Sequence, residues 1–185
     1  MIMKTARLLH LLDAKDDDGD LQVVVEVPRH STSKFKYLPE SGTFVLHRSL
    51  PAGLFFPYDY GFIPSTLGED GDPLDALVFI DTNTFPGCVV KTRLLGVITA
   101  TQKGPKGRVS NDVLLAAHVD AVSWQNRKDL RRIPGQLLDE IEFFFSSYRN
   151  FQGKEFKAKG RRPASFARRL VREGMDRFRR SQLSE

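Results

Sequence analysis

The stretch Asp70-Gly71-Asp72-Pro73-Leu74-Asp75-Ala76-Leu77-Val78-Phe79-Ile80 changes character at its midpoint. Three carboxylates fall within its first six residues, and Gly71 and Pro73 force a bend between them. The apolar run 76–80 follows without a polar break and reads as a buried strand. An acidic turn that feeds a buried strand places three anions at one end of a sheet. Such anions repel one another unless a cation sits among them. Oxygen ligands with no nearby Cys or His suit Mg2+ or Mn2+. Taken alone, the motif reads more readily as an acidic surface turn, since Asp-Gly-Asp turns are common.

On either side the chain reads as further strands. Leu21–Val27 is built on Val23, Val24 and Val25 and stops at Pro28. Glu26 lies inside this apolar run, where a carboxylate needs a partner because burying one alone is costly. The turn Ser41-Gly42 leads into a strand over 43–46, and 49–75 reads as an ordered loop region with short extended pieces. Residues 88–90, 93–100 and 113–117 give further strands, and 102–111 reads as a polar surface loop. Helices follow. After Pro134, the residues Leu137, Leu138, Ile141, Phe144, Phe145 and Tyr148 keep the helical period. Pro163 sits where a last, arginine-rich helix can start, with Phe166, Leu170 and Phe178 along one side. The expectation is a mainly β protein, a small barrel with flanking α-helices. Residues 1–20 read as a mobile N-terminal extension and 21–185 as one domain.

Composition narrows the function. The chain has 185 residues, 41% hydrophobic and 28% charged, with a net charge of +5. Fourteen Gly and ten Pro are too few for a collagen-like or low-complexity chain. The apolar run 8–12 is far below the roughly 20 residues that span a bilayer, and no small-residue cleavage site follows it. A cytoplasmic protein with no membrane contact is the expectation. The lone Cys88 leaves no internal disulfide and no thiolate zinc cage, so any metal must be held mainly by oxygen. Charge is uneven: residues 150–185 carry eleven bases against four acids. That excess is either a solvated helix face or an attractor for an anion. The acidic turn 16–20 lacks the glutamate that a calcium loop needs, and no chemistry is assigned to it. The four histidines read as structural or surface residues.

Several blocks besides 70–75 form a pattern: Glu26-Val27-Pro28, Lys34, Arg48, the aromatic stretch 57–63, Asp112 before a strand, and Tyr148-Arg149 at a helix end. Together they resemble the soluble family I inorganic pyrophosphatases, from about residue 21 to about residue 160. The resemblance implies a five-stranded, OB-like closed barrel and Mg-dependent hydrolysis of pyrophosphate by a water activated between two metal ions. By position, Asp70, Asp75 and Asp112 look like the metal ligands, and Asp72 looks like the group that takes the proton from the attacking water. Glu26 looks like an accessory carboxylate. Lys34, Arg48, Tyr60 and Tyr148 look like the residues that grip the phosphoryl groups, with Arg149 beside them. The implied cofactor is Mg, or Mn in its place. The implied assembly is a homo-oligomer, a hexamer by resemblance, with nucleic acid an unexpected partner.

This chain departs from the family pattern at several positions. Lys36 stands where a glutamate is usual, Phe56 for a tyrosine, Gln102 for an aspartate, Leu114 for a lysine, and Arg149 for the lysine of a tyrosine–lysine pair. These changes fall on the substrate side and spare the acid cluster. They leave two alternatives: hydrolysis of another phosphoanhydride, or a weakly active relative that binds an anion or nucleic acid through its basic C-terminus.

Overall fold

The computed structural model describes residues 8–104, 107–153 and 156–183. Among them are strands β1 (Leu21–Val27), β2 (Ser33–Leu38), β3 (Thr43–Ser49), β4 (Asp59–Phe62), β5 (Asp75–Phe79), β6 (Val89–Gly104), β7 (Gly107–Ser110) and β8 (Val113–His118). Helix α1 (Gly135–Phe151), strand β9 (Phe156–Pro163) and helix α2 (Ala164–Gln182) complete the chain. Strand pairing runs β1–β4–β5–β8–β6 and returns from β6 to β1, a ring of five strands. All these contacts are antiparallel except β5–β8. β7 and β9 extend β6, and β2–β3 is a separate hairpin.

Inside the ring, Val27, Tyr60, Leu77, Phe79, Leu95, Ile98 and Leu115 are each at most 2% exposed. They merge with Leu138, Ile141, Phe144, Phe145 and Tyr148 of α1 into one core. α1 therefore buries the stripe that its period marks. Outside, α2 lies on β6 through Ala164, Ala167, Val171 and Gly174. Phe166, Leu170 and Phe178 are only half buried. The buried face of α2 is thus lined by small residues, which allow a close approach to the sheet.

Two stretches differ from the expectation. Residues 102–111 are largely the β6–β7 hairpin, with Gln102 opposite Val109. The basic segment after Gly153 forms β9, paired along β6 from Gly96 to Gln102. The long strand β6 supplies a template that neither segment's own composition announces. At the N-terminus, residues 1–7 of the expected extension lie outside the described residues. Beyond them, Ala14 is buried, Lys15 bridges to Leu21, and Leu9 N–H donates to the Tyr37 hydroxyl at 3.2 Å. Among the described residues, no helix is long and apolar enough to cross a membrane.

Candidate active site

Glu26 owes its position to a bulge. The β1–β4 register runs Val25 to Gly61 and then Val27 to Tyr60, leaving Glu26 as the extra residue. Its Oε1 accepts the Tyr37 N–H at 2.8 Å. Burial pushes the carboxyl up to about 7, although that hydrogen bond and nearby Lys34 and Lys36 oppose the rise.

The hairpin β2–β3 sets Lys34 directly opposite Arg48. Like charges facing across a strand pair are destabilising, so this pairing asks for an anion. The Lys34 ammonium lies 5.3 Å from the Tyr60 ring centre and 5.9 Å from that of Tyr148. Burial lowers its pKa, while Asp75 counters the effect. The end of α1 brings Tyr148 and stacks Arg149 on the Tyr148 ring at 5.9 Å.

The acidic turn 70–75 supplies carboxylates. Gly71 has φ +88, a backbone region that favours glycine, and the turn ends with Asp75 starting β5. Burial raises the pKa of Asp70, and Asp75 and Asp72 raise it further. Asp75 is likewise raised by burial, with the Tyr60 hydroxyl donating to it. Burial also raises Asp112, although its Oδ1 accepts the Ala100 N–H at 2.9 Å.

These walls enclose a cavity of about 260 Å3. Glu26, Lys34, Arg48, Tyr148 and Arg149 line it from β1, the β2–β3 hairpin and the end of α1, and Asp70, Asp72 and Asp75 from the acidic turn. A smaller pocket of about 60 Å3 shares Asp70 and Asp75 and adds Asp112. Nine of the ten residues singled out in the sequence thus border one of two adjoining spaces. Tyr60, 2% exposed, stands behind Asp75.

The cations of the cavity are only partly neutralised: Lys36 pairs with Asp72, and the Arg48 guanidinium meets the His47 ring at 3.1 Å. Among the described residues none of Lys34, Arg48 and Arg149 forms a salt bridge, and the buried Nε atoms of Arg48 and Arg149 donate to nothing. The carboxylates face one another, and no three acids, histidines or cysteines among the described residues converge to metal-holding distance. The all-oxygen set of Asp70, Asp75 and Asp112, raised by burial, fits a hard divalent cation that would offset its charge.

The altered positions find physical roles. Lys36 holds its Nζ 3.7 Å from Asp72 Oδ1. Phe56 is fully buried and packs on Tyr60, Phe144 and Tyr148 at 5.1–5.6 Å between ring centres, which supports both tyrosines. Gln102 accepts the Asn111 amide at 3.1 Å on the cavity wall, and Leu114 is core, 1% exposed. His10 and His47 also line the cavity. Both lie away from the acidic turn in sequence, and no spacing signal marks them.

Comparison with known proteins completes the description. The family described as "Inorganic pyrophosphatase" matches residues 23–179. An inorganic pyrophosphatase of Synechocystis sp. is 34% identical over 165 residues, covering 89% of this chain and 95% of that protein. Among solved structures, inorganic pyrophosphatase from Thermus thermophilus has a TM-score of 0.85 at 34% identity, covering 94% of this chain and 99% of that one. The Helicobacter pylori enzyme has a TM-score of 0.81 at 31% identity, covering 95% and 99%.

Proposed function

We propose, because this chain belongs to the inorganic pyrophosphatase family, that its charge-lined cavity is where pyrophosphate is hydrolysed. The protein is an inorganic diphosphatase, a hydrolase of the phosphoanhydride bond. The observation that carries the site assignment is the cavity's lining: Lys34, Arg48 and Arg149, which form no salt bridge among the described residues, together with the clustered carboxylates Asp70, Asp72 and Asp75.

Lys34, Arg48 and Arg149 take the phosphoryl oxygens, the two guanidiniums through their free Nε donors and Lys34 as a point charge. The Tyr148 hydroxyl adds a donor without adding charge. Asp72, 66% exposed on its turn, takes a proton from the attacking water. As the water oxygen bonds to one phosphorus, the bridging P–O bond breaks and the second phosphate leaves. Arg48 and Arg149 stabilise the charge that grows on it. Tyr60 orients Asp75 from behind, and Glu26 acts as an accessory carboxylate through water. Asp70, Asp75 and Asp112 would hold the metal on which this family's hydrolysis depends, for which we propose Mg2+ with Mn2+ as a substitute. When bound, a divalent cation supplies Lewis acidity and offsets the charge of the polyanion.

A second reading rests on the remaining lining. Tyr37, Pro39, His10 and His47 line the cavity in addition to its charged residues. That extra lining would accommodate a substituted phosphoanhydride, so a nucleoside triphosphate belongs in the same assay. The cytoplasmic location and the homo-hexamer remain parts of this proposal. Its test is steady-state phosphate release by Arg48→Ala and Arg149→Ala. Each should lose about 100-fold or more in kcat/KM for pyrophosphate, and Arg131→Ala, whose guanidinium pairs with Asp129 at 2.8 Å, should lose nothing. Unchanged kcat/KM in both site variants would refute the assignment.

A further inference from the structure

A second space, of about 360 Å3, shares no residue with the catalytic cavity. It lies between β6, the start of β1, the 15–20 turn and α2. Its floor is aliphatic: Leu21 and Val171 are 5% and 3% exposed, with Leu94 and Met175 half buried beside them. Its rim is basic, made of Lys15, Lys128, Arg168 and Arg172, with Arg93 on the wall and Asp20 as the lone carboxylate.

The pattern of pairing on α2 makes this rim informative. Arg169 pairs with Glu173 and Arg179 with Asp176, each at 3.6 Å, and Arg177 donates to the Leu67 carbonyl at 2.7 Å. Arg168 and Arg172, one turn apart on the cavity side, have no partner among the described residues. Like charges at that spacing repel. Of the other nearby carboxylates, Asp16 and Asp18 hold Lys91 at 2.6 and 3.1 Å and Asp129 holds Arg131, which leaves Asp20 alone on the lining against five bases. Arg93 is fixed by the Arg127 and Trp124 carbonyls, which orient its guanidinium without neutralising it.

We infer that this space is a binding site for an aliphatic phosphate, an anionic head joined to a saturated hydrocarbon body. The unpaired arginines take the head and the Leu21–Leu94–Val171–Met175 floor takes the body. A nucleotide fits less well. The lining has no aromatic ring for a base to stack on, and the Thr92 hydroxyl is already donated to the Leu21 carbonyl at 2.9 Å. The volume falls in the range of small-molecule sites.

The test is calorimetric titration of the full chain, in chelator, with ethyl, butyl and octyl phosphate, and with AMP and inorganic phosphate for comparison. Affinity should rise about fourfold for each added methylene until the floor is covered. The double variant Arg168→Ala/Arg172→Ala should bind octyl phosphate roughly 100-fold more weakly, while its pyrophosphate hydrolysis stays at the unmodified rate. Arg48→Ala should bind octyl phosphate normally. Flotation with phosphatidic acid vesicles separates the two sources of such a group. Retention that the double variant loses assigns a membrane lipid; octyl phosphate binding without retention assigns a free metabolite. Affinity independent of chain length, binding lost in Arg48→Ala instead, or AMP binding more tightly than octyl phosphate would each overturn the inference.

Discussion

Glu26 sits in the β1 bulge with its carboxylate on the Tyr37 amide, and burial raises its pKa from 4.5 to about 7. The folded state therefore holds this proton more tightly than the unfolded chain does. For this group, stability is greatest below about pH 4.5, falls as pH rises through that window, and levels off above about 7. The full effect is of order 3 kcal/mol. Urea unfolding of metal-free protein across this range should show Glu26→Gln abolishing that decline; parallel curves for the two proteins would contradict it. Lys36 is a second case. Its ammonium is 3.7 Å from Asp72 and the pair is solvent-exposed, so the bridge itself is weak. Lys36→Glu places a carboxylate beside Asp72 and should shift the half-saturating magnesium concentration for phosphate release by about threefold. An unchanged titration would show that Lys36 does not influence metal use. Much of the candidate site was legible at this scale, because Asp70, Asp72 and Asp75 are neighbours in sequence and Glu26 is conspicuous among valines. His10 and His47 were not legible, since only the fold carries them to the cavity.

Helix α2 reaches the site indirectly, by holding the segment that leads into the acidic turn. The Leu67 N–H donates to the Gly174 carbonyl at 3.0 Å, and Arg177 donates to the Leu67 carbonyl. A Cβ on Gly174 would lie 2.7 Å from Leu74 Cδ1 and 3.4 Å from Thr66 Cβ. Glycine in a helix costs about 1 kcal/mol relative to alanine, and this contact explains why it is there. Gly174→Val should push Leu74 away and lower kcat at least about tenfold, with the far-UV circular dichroism spectrum unchanged. Full activity would mean that the turn does not depend on α2. Element by element, the sequence was readable where periodicity was strong and short-ranged. α1 announces itself through its apolar stripe, β1 through Val23 to Val25, and β5 through the apolar run 76–79. β9 was hidden because Lys157, Lys159, Arg161 and Arg162 look like a solvated run, yet its backbone pairs with β6. β2 was hidden for a related reason, since Lys34 and Lys36 mask its alternation with Phe35 and Tyr37.

At the scale of the whole molecule, the five-stranded ring brings distant charges together. Asp70 and Asp72 come from the turn before β5 and Asp75 from its first residue, Asp112 precedes β8, Lys34 and Arg48 come from the outlying hairpin, and Arg149 from the end of α1. No local reading could place the hairpin, whose register with its bulge between Lys34 and Phe35 sets which cation faces which. The net charge of +5 is therefore a poor guide to the site, which gathers both cations and carboxylates around one cavity. Part of the C-terminal excess is spent on ion pairs and main-chain contacts, through Arg161, Arg169, Arg177 and Arg179, whereas Arg168 and Arg172 are left beside the second cavity. The central claim is that the site's cations and carboxylates together hydrolyse pyrophosphate, with Asp72 taking the proton. Phosphate release from pyrophosphate across a magnesium titration, with Asp72→Asn in parallel, tests it most directly. The account predicts metal-dependent turnover that falls roughly 100- to 10,000-fold in the folded variant. Equal turnover in both proteins, or none from folded unmodified protein at any magnesium concentration, would contradict it.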